Sequence, residues 1–237
     1  MDDPLRALAS FNGRFAPQFA RTMLAPRPRG DAAAFTAHCE AKAFEFTESW
    51  ADLNVPYVTP LLRRFAAGRE RIRYLEIGAY EGKNLALLDW LLPGQLDVTV
   101  IDPWFDEDLN PEEKYHAVEP RFQRNVAKLN FPGLKIIKGF STYELPKMLE
   151  ADQAFDLIYV DGSHTAWAVN IDITYCAALL KVGGMMILDD YWHRVSEIGG
   201  PSVKQVVDRF HGVFREYFDI SAVYRQVVLT KTREIPR

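Results

Sequence analysis

The stretch Tyr74-Leu75-Glu76-Ile77-Gly78-Ala79-Tyr80-Glu81-Gly82 decides the fold. An apolar strand runs into an acidic residue, then Gly-x-x-x-Gly, then an apolar helix carrying Leu85, Ala86, Leu87 and Leu88. Glycine lets a backbone turn tightly and approach a ligand closely. The helix that follows directs its free N–H groups at whatever lies above the turn. An acidic residue just before the turn suits a ligand with a cationic or hydroxyl-rich face and suits a pyrophosphate badly. The pattern reads as a nucleoside-binding turn built for something other than a dinucleotide.

Outward from this turn, strands and helices alternate. Strands are expected at Ile72–Ile77, Asp97–Ile101, Leu134–Lys138, Phe155–Val160 and Gly184–Leu188. Helices are expected at Asn84–Leu92, Glu112–Leu129, Tyr143–Ala151, Ala166–Leu180 and Ser202–His211. Strands this uniformly apolar are covered by helices on both faces. Such alternation implies a doubly wound parallel sheet with right-handed crossovers. Phe218–Tyr224 and Gln226–Lys231 are joined only by Arg225, so they should close the sheet as antiparallel neighbours. The expectation is an α/β fold with a mainly parallel seven-stranded sheet and an N-terminal helical extension.

Upstream, Phe11, Phe15 and Phe19 recur at helical spacing, and Ala25-Pro26-Arg27-Pro28-Arg29-Gly30 interrupts the pattern. Further helices are expected over Asp31–Trp50 and Pro56–Ala67. Residues 1–68 thus read as a helical cap, a substrate region or a subunit contact, and residues 69–237 as the ligand-binding domain. The aromatic character of the cap makes a homo-oligomer one expectation.

Composition narrows the partners. With 48% hydrophobic and 25% charged residues, a folded globular chain is expected. The net charge of −4 and the absence of a Lys/Arg-rich run argue against nucleic acid. No apolar run is long enough for a bilayer, and Met1-Asp2-Asp3-Pro4 lacks a signal core, so no membrane partner and a cytoplasmic location are expected. Cys39 and Cys176 lack metal-type spacing, and Cys176 reads as a buried helix residue.

In a sheet of this kind ligands bind beyond the carboxyl ends of the strands. A polar or acidic group stands at each of five strand ends: Glu76; Asp102, followed by Pro103 and Trp104; Ser141, after Gly139 and Phe140; Asp161-Gly162-Ser163-His164; and Asp189-Asp190. Asp and Asn are also ordinary turn residues, so no single one is decisive. An acid at the end of the second strand has the position to accept both hydroxyls of a ribose.

The strand-Glu-Ile-Gly-x-x-x-Gly turn, Asp at the end of strand two and the final antiparallel pair resemble the class I S-adenosylmethionine-dependent methyltransferases, over about residues 70–231. The resemblance implies S-adenosylmethionine as cofactor. Glu76, Gly78, Tyr80 and Gly82 would hold its methionine part, Asp102 its ribose and Ser141 its adenine. Trp104 and Phe140 would be adenine neighbours, and Asp161 would border the same site. Asp161-Gly-Ser-His164 followed by Leu188-Asp189-Asp190 is similar to the metal-dependent O-methyltransferases of catechol and macrolide-sugar type. That likeness implies Asp161, Asp189 and Asp190 as ligands of a divalent cation. Carboxylates converging on one point repel unless a cation neutralises them, and oxygen ligands suit Mg²⁺ first, then Mn²⁺ or Ca²⁺. Catechol-type enzymes carry an amide where Asp190 stands.

His164 would act as base on a small-molecule hydroxyl acceptor, with Asp161 beside it, and His193 is the alternative base. His38, His116 and His211 read as surface or packing residues. A nicotinamide oxidoreductase shares the layer plan but should show Gly-x-Gly-x-x-Gly. A metal-dependent hydroxylase on the same frame stays open. A non-catalytic nucleoside-binding protein would keep Glu76 and Asp102 but have no use for three clustered carboxylates.

Overall fold

The structure, a computed structural model, describes residues 13, 15–26, 30–104, 117–192 and 200–236. Its strands are β1 (Ile72–Ile77), β2 (Leu96–Asp102), β3 (Gly133–Lys138), β4 (Phe155–Val160), β5 (Leu180–Leu188), β6 (Phe218–Val223) and β7 (Val227–Lys231). They form one sheet in the order β3-β2-β1-β4-β5-β7-β6. The first five are parallel, and β7 is antiparallel to both β5 and β6. This is the doubly wound sheet that the alternating pattern implies, with the strand order reversing between β1 and β4.

Helices cover both faces. On one side α2 (Asp31–Ala41), α3 (Val55–Ala66), α4 (Lys83–Leu91) and α5 (Val118–Val126) pack on Ile72, Tyr74, Val98, Val100 and Leu157. On the other, α1 (Ala16–Leu24), α6 (Ser141–Glu150), α7 (Ala166–Leu179) and α8 (Val203–Phe214) pack on Leu75, Ile77, Ile101, Ile158 and Leu188. Local chemistry sets some of the ends. Ser202 and Gln205 form a reciprocal capping box that starts α8, and the Thr165 hydroxyl caps α7.

The N-terminal helices share these cores. Phe15 and Phe19 of the α1 region lie in the second cluster, where Phe15 meets Tyr191 and His211 at ring distances of 5.6 and 5.2 Å. Phe35 of α2 lies in the first, against Trp90. Phe11 falls outside the described residues.

One expected helix is shorter than its pattern predicts. The spacing predicts a helix over 31–50, yet α2 stops at Ala41 and the chain turns through Ala43 at φ 51°. Tertiary bonds take over from there. The buried Asn125 side chain accepts the Glu45 N–H at 2.8 Å and donates to the carbonyls of Glu45 and Glu81. The Glu81 carboxylate accepts the Thr47 N–H at 2.7 Å, the Thr47 hydroxyl at 2.8 Å and Arg121 at 2.9 Å. Residues 45–47 are thereby strapped across the glycine turn, and Trp50–Leu53 forms a 3-10 turn leading into α3. The helix expected over 112–129 is observed as Val118–Val126, with residues 112–116 outside the described ones.

Candidate active site

The sheet ladder extends one residue past the strands and fixes where each loop begins. Gly78 donates to the Ile101 carbonyl at 2.9 Å, Asp161 to Ile77 at 2.8 Å, Asp189 to Val160 at 3.0 Å and Gly139 to Asp102 at 3.1 Å. The candidate residues therefore start from a rigid edge at the point where strand order reverses, the place such sheets offer a ligand.

Gly78 has φ +80°, and a Cβ there would fall 1.9 Å from the Asp161 carbonyl oxygen. Gly82, also at φ +80°, is the residue that caps α4. Tyr80 adopts φ 50° in the same turn, and its ring lies 5.3 Å from that of Trp50. The turn is held from below by Asp102. Its Oδ2 accepts the N–H groups of Ala79 at 2.7 Å and Tyr80 at 2.9 Å, and its Oδ1 accepts that of Trp104 at 2.7 Å. Burial raises the Asp102 pKa, and these three backbone bonds oppose the rise.

Glu76 is almost fully buried. One oxygen accepts from the Tyr74 hydroxyl and from Asn84 at 3.1 Å, while Oε1 has no hydrogen-bond partner among the described residues. Burial pushes its pKa up to about 7, against the Tyr74 and Asn84 bonds. An orphaned carboxylate oxygen at this depth fits a cationic donor.

Two expected adenine neighbours differ in setting. Trp104 is buried, its ring 4.5 Å from Phe122 and its Nε1 donating to the Tyr80 carbonyl at 3.0 Å. Phe140 is 46% exposed at the rim, just before Ser141 opens α6.

Across the reversal point, Asp161, His164 and Asp190 each offer a ligand atom within 4.8 Å of the others. His164 Nε2 lies 2.6 Å from Asp190 Oδ2. Desolvation lifts the Asp161 pKa well above the usual range, and the charges of Asp189, Asp190, Glu76 and Asp102 lift it further. Of the three acids expected to converge, Asp161 and Asp190 come together with His164, while Asp189 is engaged by Tyr159, Gln226 and Asn54. His193 and His116 lie outside the described residues.

Three residues were missed by sequence reasoning: Asn54, Tyr159 and Gln226. The only hints were a polar residue opening an apolar strand, in Gln226-Val227-Val228-Leu229, and an Asn before Val55-Pro56.

Sheet order, glycine turn and acidic strand ends together define the class I S-adenosylmethionine-dependent methyltransferase fold. Residues 75–191 match the family model described as a methyltransferase domain, so the chain carries that domain on a class I S-adenosylmethionine-dependent methyltransferase fold. No curated protein matches it. Among solved structures, it is similar to the MycE methyltransferase from the mycinamycin biosynthetic pathway, in complex with Mg, SAH and mycinamycin VI. Identity is 17% and the TM-score 0.57, over 100% of this chain and 66% of that one. A further MycE complex, with Mg and SAH, gives 17% identity and a TM-score of 0.56 over 89% of this chain and 58% of that one. This chain thus spans roughly three fifths of the length of MycE. TomG from Streptomyces achromogenes, an O-methyltransferase involved in tomaymycin synthesis and solved with SAM, gives 16% identity and a TM-score of 0.52, over 93% of this chain and 97% of that one. No helix among the described residues is long and apolar enough to cross a membrane.

Proposed function

We propose that the protein transfers a methyl group from S-adenosylmethionine to a hydroxyl of a small molecule, assisted by a divalent cation. The observation that carries this reading is the row of acids along adjacent strand ends. Glu76, with a buried orphan oxygen, lies on one side of the reversal point, and Asp161, Asp190 and His164 lie together on the other. The ligands reported for MycE and TomG support it.

Glu76 would bind the ammonium of the methionine part through Oε1, and Gly78, Tyr80 and Gly82 would let the backbone approach it. Asp102 spends three acceptor positions on the turn and would offer ribose the remaining one on Oδ1. Ser141 and Phe140 would border adenine. Trp104 would support that region from the core.

The donor set fits a hard or borderline cation, Mg²⁺ or Mn²⁺, at Asp161 and Asp190, with Asp189 close behind. When bound, S-adenosylmethionine supplies an electrophilic methyl group, and the cation lowers the pKa of an acceptor hydroxyl. His164, 40% exposed at the mouth, would take the acceptor proton, with the Asp190 carboxylate against its Nε2 holding the ring. Orienting the two reactants is the chain's main contribution. Residues 1–68 would cap the site, since the Trp50 ring lies against Tyr80 and Asn54 reaches Asp189.

Calorimetric titration with S-adenosylhomocysteine tests the reading. One-site micromolar binding followed by Mg²⁺-stimulated methylation of a hydroxyl acceptor is the expected result. No binding by folded protein removes the reading.

A further inference from the structure

Asp189 is gripped from both ends of the chain. The Tyr159 hydroxyl donates to its Oδ2, and Gln226 Nε2 donates to the same oxygen at 2.9 Å and to the Tyr159 hydroxyl at 2.7 Å. Asn54 Nδ2 reaches Oδ2 at 3.2 Å and Oδ1 at 3.4 Å. Among the described residues, Oδ1 otherwise accepts only the N–H of Asp190, at 2.7 Å.

The cost of this grip is visible at Asn54. It stands at the N-cap of α3, where an Asn side chain ordinarily accepts a bond from the helix's own first turn. Here there is no side-chain cap bond, and Asn54 Oδ1 is buried without a partner among the described residues. The amide has been turned to Asp189 instead. Gln226 is likewise a buried amide, opening β7 where an apolar residue would pack without penalty. Asn54 and Gln226 both lie outside residues 75–191, the part that matches the methyltransferase domain.

We propose that Asn54, Tyr159 and Gln226 are positioning residues that fix Asp189, whose Oδ1 accepts the Asp190 N–H and so holds Asp190 beside Asp161 and His164 for a divalent cation. The inference rests on the cation-assisted reading of the site. Three neutral donors also hold Asp189 in place against the repulsion of Asp161 and Asp190. The N-terminal segment and the last strand would thus set the geometry of a cation site whose other residues come from strands four and five.

The test is direct Mn²⁺ binding to the full chain, followed by the electron paramagnetic resonance of free Mn²⁺. Wild type is compared with Gln226→Leu, Asn54→Ala, Asp189→Asn and the Gln226→Leu/Asp189→Asn double variant. Loss of a hydrogen-bonded support behind a metal ligand typically weakens metal affinity by about 10-fold or more. That loss is expected for Gln226→Leu, with S-adenosylhomocysteine affinity unchanged. In the Asp189→Asn background the second substitution should add nothing, because its effect passes through Asp189. If Gln226→Leu does not fold, Asn54→Ala carries the same comparison. Wild-type Mn²⁺ affinity in folded Asn54→Ala and Gln226→Leu overturns this inference alone. Wild-type protein that binds no Mn²⁺ overturns the cation reading as well, and the two failures are told apart before any variant is compared.

Discussion

The carbonyl oxygen of Asp161 stands where a Cβ on Gly78 would have to go, 1.9 Å away. The first and fourth strand ends therefore meet backbone to backbone, without an intervening side chain. This contact brings Glu76 and Asp161 to the same edge. A Gly78→Ala variant must move one of the two loops, and it also meets the positive φ of that position. The φ penalty alone is about 1–2 kcal/mol, and displaced backbone adds to it. We expect a large fall in melting temperature, or no soluble protein, and loss of S-adenosylhomocysteine binding. A normal melting curve with normal binding would mean that the loops are not in contact.

Asp102 is expected to serve two ends, and its removal should show both. Hydrogen bonds to a charged group are worth about 1.5–3 kcal/mol each, and Asp102 makes three to the backbone of the turn and of its own loop. Asp102→Ala should therefore lower thermal stability as well as cofactor affinity. Asp102→Asn, which keeps one acceptor, should fall between. A variant with intact stability and weakened binding would limit Asp102 to a ligand contact.

Most of the frame was legible from residues 72 to 231, because apolar runs bounded by Gly, Asp and Asn encode strands wherever they fall in space. The long helix predicted from residue 31 was the visible exception. Its pattern continues past Ala41, but Asn125 and Glu81, about 80 and 34 residues downstream, capture its backbone at Glu45 and Thr47. Local periodicity carries no record of such a bond. The same reason hid Asn54 and Gln226, whose shared partner Asp189 is 135 and 37 residues away. The acids at the strand ends were readable because the fold itself places strand ends together.

Asp172 offers a test of burial beside the candidate site. It sits on α7 with 1% exposure, and neither carboxylate oxygen accepts a well-aligned hydrogen bond among the described residues. Burial raises its pKa to about 6, with the Ser141 hydroxyl pulling the other way. A carboxyl whose folded pKa exceeds its unfolded value stabilises the fold least when ionised. Stability should therefore decline as pH rises from about 4 through 6 and stay low above that. Asp172→Asn should remove this decline and stabilise the protein by up to about 3 kcal/mol at pH 8, as a shift of roughly two pKa units implies. Denaturant melts of both proteins at pH 5 and pH 8 would show it, and equal pH dependence would place Asp172 in contact with a donor.

His164 should matter to turnover and not to cofactor binding. Its Nε2 lies 2.6 Å from Asp190 Oδ2. His164→Ala is expected to cut turnover of a hydroxyl acceptor by about 10²–10⁴-fold, the usual range for a general base. S-adenosylhomocysteine affinity should stay within about twofold. Wild-type turnover in the variant between pH 6 and 9 would remove His164 from the reaction.

Glu76 ties cofactor affinity to pH. Its Oε1 is buried and unpartnered, and its pKa is raised to about 7 chiefly by desolvation. Without ligand, the ionised form is penalised, so stability should drop as pH climbs from about 4.5 to 7. A bound ammonium group reverses the preference, because it pairs with the ionised form. S-adenosylhomocysteine should thus bind best above pH 7 and weaken below it, approaching tenfold per pH unit while one proton is taken up for each ligand lost. Glu76→Gln keeps the shape and an acceptor oxygen but has no charge to titrate. It should bind more weakly at pH 8 and show a flat profile between pH 5.5 and 7.5. A wild-type profile that is equally flat would mean that the carboxylate does not face the ammonium. A Glu76→Gln profile that keeps the slope would assign the titration to another group.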